Sequence, residues 1–92
     1  MAARPLTEAA LTNAIQTAVA SVAPGSDVAS LDPDEDIVEA FELDSMDVLN
    51  IMAAVAQQTG LEVPERHYPR TRTLRGFVGE LVDLSRSDHH TT

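Results

Sequence analysis

Three stretches of the chain carry apolar residues at the spacing of a helix face. The first predicts a helix from about Leu6 to Val22, with Thr7 as the residue that caps its amino end and Pro24-Gly25 as its terminator. Its apolar residues recur three and four positions apart, so they share one face. These residues are Leu11, Ile15, Ala18, Val19 and Val22.

The second stretch predicts a helix that starts at Asp44 and runs to Thr59, with Gly60 as its C-cap. Asp44 can accept hydrogen bonds from the first turn, and Asp47 can reach back to it in a capping box. Apolar residues cover most of the circumference, so one side can face a core while another leaves apolar area exposed for docking. They are Met46, Val48, Leu49, Ile51, Met52, Ala53, Val55 and Ala56.

The third stretch predicts a final helix from near Thr73 to about Leu84. Gly76 and Gly79 weaken this helix, which suggests that it packs closely against a neighbour. Before it, residues 65–70 have room for a short helix that Pro69 interrupts. The inner face of the final helix would be formed by Leu74, Phe77, Val78, Leu81 and Val82.

These elements predict an all-α fold, a four-helix bundle with a short third helix and a long acidic loop between the first and second helices. That loop, residues 26–44, is long enough that we expect a turn of helix within it. Residues 1–84 would form the domain, and the polar residues 85–92 a disordered tail. The expected core consists of Leu11, Ile15, Val19, Phe41, Leu49, Ala53, Phe77 and Leu81.

Composition narrows the function classes. The 92 residues suit one domain with a modest core, and the absence of cysteine excludes disulfides and thiolate metal sites. Fifteen acidic residues face six basic ones, all arginine, with no basic residue between Arg4 and Arg66. Binding to nucleic acid or to a membrane surface is therefore disfavoured, and we expect partners with basic patches. No apolar run is long enough to span a membrane, and the amino-terminal segment is interpreted as a helix of a cytoplasmic protein.

The most informative segment is Leu43-Asp44-Ser45-Met46-Asp47, which places a serine at the mouth of a helix after a long acidic loop. It resembles the Asp-Ser-Leu attachment motif of the acyl carrier protein family, with Met46 in place of leucine. The resemblance extends over about Thr7 to Leu84, because the order of helices and the link from Gly60 to Pro64 also follow the family pattern.

This resemblance implies that Ser45 receives a covalent 4′-phosphopantetheine arm from coenzyme A, transferred by a separate phosphopantetheinyl transferase. Acyl groups would then travel as thioesters on the arm, and the other partners would be enzymes that load and transfer them. A phosphodiester at this position would lie beside unpaired N–H groups and the positive end of the helix dipole. His67 has no motif context that would make it the partner of Ser45 in a catalytic triad. We therefore expect a carrier without catalytic residues rather than an enzyme. We also expect the carrier to be a monomer.

The predicted docking residues are Asp44, Met46, Asp47, Val48 and Ile51. Carriers for general fatty-acid synthesis usually place several glutamates along the exposed face of the second helix. This chain has other residues there, which favours a specialised carrier for a dedicated pathway. A glycine before the serine, usual in peptidyl carriers, is also missing. The positions in question hold Asn50, Ala54, Ala56, Gln57 and Gln58.

Two alternatives carry no prosthetic group. The alternating acids from Asp32 to Asp36 imitate the start of a calcium-binding EF-hand loop. That pattern fails further on, where Ile37 stands at the position of the obligatory glycine and Leu43 at that of the bidentate glutamate. The loop is therefore not expected to be a metal site, although loose association with divalent ions stays open. The second alternative is an acidic helical module for protein interaction, which applies if Ser45 is never modified.

Overall fold

The computed structural model describes residues 7–87, which form three long helices and a set of short turns. The long helices are α1 (Glu8–Val22), α3 (Ser45–Thr59) and α4 (Leu74–Ser87). Helix α2 (Ile37–Ala40) is a single turn within the acidic loop, and 3₁₀ turns cover Val28–Ser30 and Glu65–Arg72. The predicted all-α fold is confirmed. The predicted second, third and fourth helices correspond to α3, the 65–72 segment and α4.

Local signals set the ends of α1 and α3 as the sequence predicts. The Thr7 hydroxyl accepts a hydrogen bond of 3.1 Å from the N–H of Ala10 and caps α1. Helix α3 begins with the predicted capping box between Asp44 and Asp47 and ends at Gly60, whose φ of 76° lies in the left-handed region that favours glycine. These contacts are short-range in sequence, which is why the pattern of residues is enough to predict them.

The core lies where α1 meets α3 and α4. Leu11, Ile15, Phe77 and Leu81 are almost completely buried there, as predicted. Apolar side chains from the loops close the core from the side, with Val28, Ile37 and Leu61 buried and Phe41 partly buried. Helix α1 contributes most, because it is the element that contacts both of the other long helices.

Two residues that were predicted to lie in the core are exposed instead. Leu49 is 48% exposed, and Ala53 is also exposed. Helix α3 packs on α1 through Ile51 and Val55, which lie four residues apart on one face, and Leu49 and Ala53 fall outside that face. Since α3 is apolar around most of its circumference, its sequence does not say which face turns inward.

The long acidic loop contains the expected helical turn and is held to the beginning of α4. Arg75 donates to Asp34 at 2.7 Å, and its backbone N–H donates to the Pro33 carbonyl at 3.0 Å. Arg72 donates to Asp36 at 2.7 Å, and an isolated β-bridge pairs Asp36 with Thr73. Outside this bridge, the residues from 7 to 87 form no β-structure.

The segment before α4 differs from the prediction at Pro69. Instead of interrupting a short helix, Pro69 lies inside a 3₁₀ segment that continues to Arg72. The segment lies close against α4, since a Cβ on Gly76 would collide with the Arg70 carbonyl oxygen. The close packing predicted from this glycine is therefore confirmed.

A buried acid on α4 anchors the same segment. The Glu80 side chain is only 1% exposed, and its carboxyl oxygens lie 2.6 Å from His67 Nδ1 and 2.9 Å from Arg70 Nη1. A buried carboxyl is tolerated when its oxygens are paired in this way. His67, which has no motif context in the sequence, therefore packs against Glu80.

Helix α4 extends further than predicted. It runs to Ser87, so the first three residues of the predicted disordered tail are helical. Leu84 packs against the core at this end, and the Ser85 hydroxyl bonds back to the Val82 carbonyl at 2.8 Å. The rest of the predicted tail, residues 88–92, lies outside the described residues. Within residues 7–87, none of the helices has the length and apolar character needed to cross a membrane.

Candidate functional site

Ser45 is the first residue of α3, and its side chain is exposed. Within residues 7–87 no hydrogen bond engages its hydroxyl, and the N–H groups of Ser45 and Met46 also have no partner. Such N–H groups and the helix dipole favour a negative group at this end of the helix. Ser45 is thus an accessible hydroxyl in a setting that stabilises an attached phosphate.

Among residues 7–87, no base is hydrogen-bonded to the hydroxyl of Ser45. Asp47 N–H donates to the Asp44 carboxylate at 2.9 Å, and Asp44 N–H donates to the Asp47 carboxylate at 3.2 Å. Both acids therefore serve the helix end, and His67 is paired with Glu80. A serine without a hydrogen-bonded base is a weak nucleophile. Among the described residues, no side chain is placed to activate this hydroxyl.

An unusual backbone conformation leads the chain into the site. Helix α2 ends in a Schellman motif, in which Leu43 N–H bonds to the Val38 carbonyl at 2.9 Å and Glu42 N–H to the Glu39 carbonyl at 3.4 Å. Glu42 has a φ of 54°, the left-handed conformation that usually requires glycine. The turn was not predicted, because glutamate gives no local signal for it. It carries Leu43 into the wall of the cleft beside Ser45.

A cleft opens beside Ser45 between α2, the first turns of α3 and the 65–72 segment. Behind it lies a mainly apolar cavity of about 190 Å³ that reaches inward to Phe77. Five residues line both spaces, so the cleft and the cavity are neighbours. These residues are Val38, Leu43, Val48, Tyr68 and Arg72.

Tyr68 and Arg72 were not predicted as part of the site. They stand more than twenty positions after Ser45 and have no motif around them. Only the packing of the 65–72 segment beside α3 brings them to the cleft. No sequence signal marks that approach.

The predicted docking residues divide into exposed and buried ones. Met46 is 63% exposed, Asp44 is exposed, and Asp47 and Val48 are partly buried. Ile51 is only 3% exposed and packs in the core, so it does not lie on the surface expected of a docking residue. Leu49, in contrast, is 48% exposed.

Two acids of the loop, Asp34 and Asp36, are paired with arginines. The hydrogen bond from Arg75 lowers the pKa of Asp34, and the hydrogen bond from Arg72 lowers the pKa of Asp36. The Asp32 carboxylate accepts from the N–H of Asp34 at 2.8 Å. In the part of the chain that the structure describes, no group of three or more acidic or histidine side chains could hold a metal ion.

A comparison with known protein families identifies the family of the chain. Residues 13–81 match the sequence profile of the family described as "Phosphopantetheine attachment site". The chain belongs to this family of carrier proteins, in which 4′-phosphopantetheine is attached covalently as a prosthetic group. Neither the search of curated proteins nor the search of solved structures found a match.

Proposed function

We propose that this carrier holds acyl intermediates as thioesters on a 4′-phosphopantetheine arm attached to Ser45. The observation that carries the proposal is the position of Ser45, exposed at the amino end of α3 and engaged by no other side chain in residues 7–87. The arm supplies the thiol that the chain lacks. The protein itself supplies the hydroxyl, the helix end that stabilises the phosphate, and a surface for its partners.

The cavity behind the cleft supports an acyl cargo. Its walls are mostly apolar and include Val19, Ile51, Met52 and Phe77. A hydrocarbon chain that leaves water for such a space is stabilised by about 0.8 kcal/mol for each buried CH₂ group. A polar cargo would gain little there, so the cavity favours acyl groups over strongly polar ones.

Attachment can be tested with a promiscuous phosphopantetheinyl transferase and coenzyme A. Intact-mass analysis is expected to show one added phosphopantetheine, and Ser45→Ala is expected to abolish it. Peptide mapping should find no arm on other serines; Ser21 and Ser85, for example, bond back to backbone carbonyls of their own helices. An unchanged mass with an active transferase, or an arm mapped elsewhere, would overturn the proposal.

Membership of this family supports a carrier that is not itself an enzyme. No base is hydrogen-bonded to Ser45 within residues 7–87, and the carriers of this family are typically non-catalytic. We propose that the chain is a monomeric substrate of the transferase and then of enzymes that load and remove the cargo. Incubation of acyl-loaded protein without partner enzymes tests this, since the thioester should be no shorter-lived than in the unfolded protein.

The surface of α3 supports a dedicated pathway rather than general fatty-acid synthesis. We also propose that the carrier acts in the cytoplasm. Asn50 and Gln57 are exposed where acids would meet strongly basic docking patches. Replacing both by glutamate is expected to speed loading by a housekeeping synthase enzyme, with Thr17→Glu on the exposed side of α1 as the control for added charge. Wild-type protein that already serves such enzymes as well as a standard carrier would contradict the dedicated pathway and leave the role of Ser45 intact.

A further inference from the structure

Within residues 7–87, Arg72 is the only basic residue among those that line the cleft beside Ser45. The same cleft includes the acids Asp44 and Glu65, and the protein as a whole has a formal charge of −9. A phosphodiester on Ser45 would add another negative charge to these surroundings. A cation in the same cleft is therefore the group that a phosphate would be expected to contact.

The guanidinium of Arg72 has donors to spare. Its Nε–H donates to Asp36 at 2.7 Å, which leaves the N–H donors of both Nη atoms unused by this pair. Within residues 7–87 its two Nη atoms have no hydrogen-bond partner. The side chain is 46% exposed, so a group outside the protein surface can reach it. Asp36 thus orients Arg72 from one edge and leaves the other edge available.

The neighbouring pair between Arg75 and Asp34 provides a comparison within the same loop. Its Nε–Oδ distance is also 2.7 Å, and it too joins the loop to the beginning of α4. Arg75, however, does not line the cleft beside Ser45, and its guanidinium uses a second nitrogen on Asp34 at 3.2 Å. Tethering the loop therefore does not require the arrangement seen at Arg72.

We propose that Arg72, oriented by Asp36, binds the phosphodiester of the arm on Ser45. This inference rests on the proposed attachment at Ser45. Two Nη–H donors of a guanidinium match two oxygens of a phosphate, and the contact lowers the repulsion from Asp44 and Glu65. A phosphate held at Arg72 starts the arm over the cleft, next to the apolar cavity, rather than toward open solvent.

The test uses holo-protein made with the transferase, with the arm confirmed on Ser45 by mass analysis. Phosphorus NMR is recorded at low and high salt for the wild type, for Arg72→Met and for the matched control Arg75→Met. The wild type and Arg75→Met are expected to share a ³¹P chemical shift at low salt, and Arg72→Met to differ. High salt should move the wild type toward Arg72→Met, because this half-exposed contact is screened. Equal shifts for the wild type and Arg72→Met at low salt would overturn the proposal, as would an equal change in Arg75→Met.

A second measurement needs no variant and covers the case in which Arg72→Met does not fold. The Nε–H resonances of Arg72 and Arg75 are compared in the wild-type apo- and holo-proteins. A shift at Arg72 with little change at Arg75 supports the contact, and an unchanged Arg72 resonance rejects it. If no holo-protein forms at Ser45, the proposed attachment itself has failed. If it forms and Arg72 does not respond, only this inference has.

Discussion

Helices α1 and α3 have the same length of fifteen residues and are both rich in apolar side chains, yet they are used differently. Five residues of α1 are buried, whereas α3 buries only Ile51 and Val55. The two large apolar residues of α3 that are exposed, Met46 and Leu49, lie within about one helical turn of Ser45. Helix α1 thus forms the centre of the core, whereas α3 packs through one face and leaves large apolar side chains exposed near Ser45.

This difference separates stability from function along the chain. Exposed apolar area on a small protein gains nothing from the core and increases the tendency to associate, so its position beside Ser45 points to contact with partners. Substitutions on α1 should therefore act on folding, and substitutions on the outer face of α3 on recognition. The four predictions below test this separation.

The largest expected effect compares two leucines. Leu11→Ala removes a side chain that is 0% exposed at the centre of the core, and is expected to lower the free energy of unfolding by about 2–5 kcal/mol. Leu49→Ala, the same change at a 48% exposed position, is expected to cost less than about 1 kcal/mol. Urea unfolding of both variants gives the two values. Equal losses would show that α3 is packed as tightly as α1.

The second prediction concerns the amino end of α3. Asp44→Ala removes the acceptor for the N–H of Asp47 and is expected to destabilise the protein by about 1 kcal/mol. Asp44→Asn keeps an acceptor and should retain most of this stability. Thr7→Ala, which removes the cap of α1, serves as the comparison. If Asp44→Ala and Asp44→Asn unfold at the same urea concentration, the cap does not stabilise α3.

The third prediction concerns the loop that joins the two helices. Asp36→Asn keeps a cap for the N–H of Glu39 but removes the ion pair with Arg72, at an expected cost of about 0.2–1 kcal/mol at neutral pH. The pKa of Asp36 in the folded protein lies below its ordinary value of 3.8. Its contribution is therefore present above that value and is lost as the pH falls through the folded pKa.

Urea unfolding across the acid range checks the sign of this effect. The difference in stability between the wild type and Asp36→Asn should be constant above about pH 5 and should shrink toward lower pH. A difference that instead grows on acidification would contradict the role of the ion pair. Measurements at high salt should reduce it at all pH values, because the pair is partly exposed.

The smallest expected effect on stability comes from Met46→Ala. This side chain is 63% exposed, so the free energy of unfolding should change by no more than about 0.5 kcal/mol. Modification by the transferase should nevertheless slow, because Met46 lies beside Ser45 on the face left for partners. Thr17→Ala on the exposed side of α1 is the control. Equal rates for the two variants would show that Met46 takes no part in this encounter.

The sequence predicted much of the fold, because its signals are local. The caps and the ends of α1 and α3 follow from residues within a few positions of one another, as with Asp44, Asp47 and Gly60. The face on which α3 turns inward could not be predicted, since apolar residues surround most of it. For this reason the prediction placed Leu49 in the core and Ile51 on the surface, whereas Leu49 is exposed and Ile51 is buried.

By itself the sequence determined that a serine stands at the mouth of a capped helix in an acidic, cysteine-free helical chain. Only the tertiary structure decided what surrounds that serine. Tyr68 and Arg72 reach its cleft because Glu80, buried in α4, holds the 65–72 segment through His67 and Arg70. Contacts between residues far apart in the chain depend on how whole elements pack, and no short-range pattern encodes that packing.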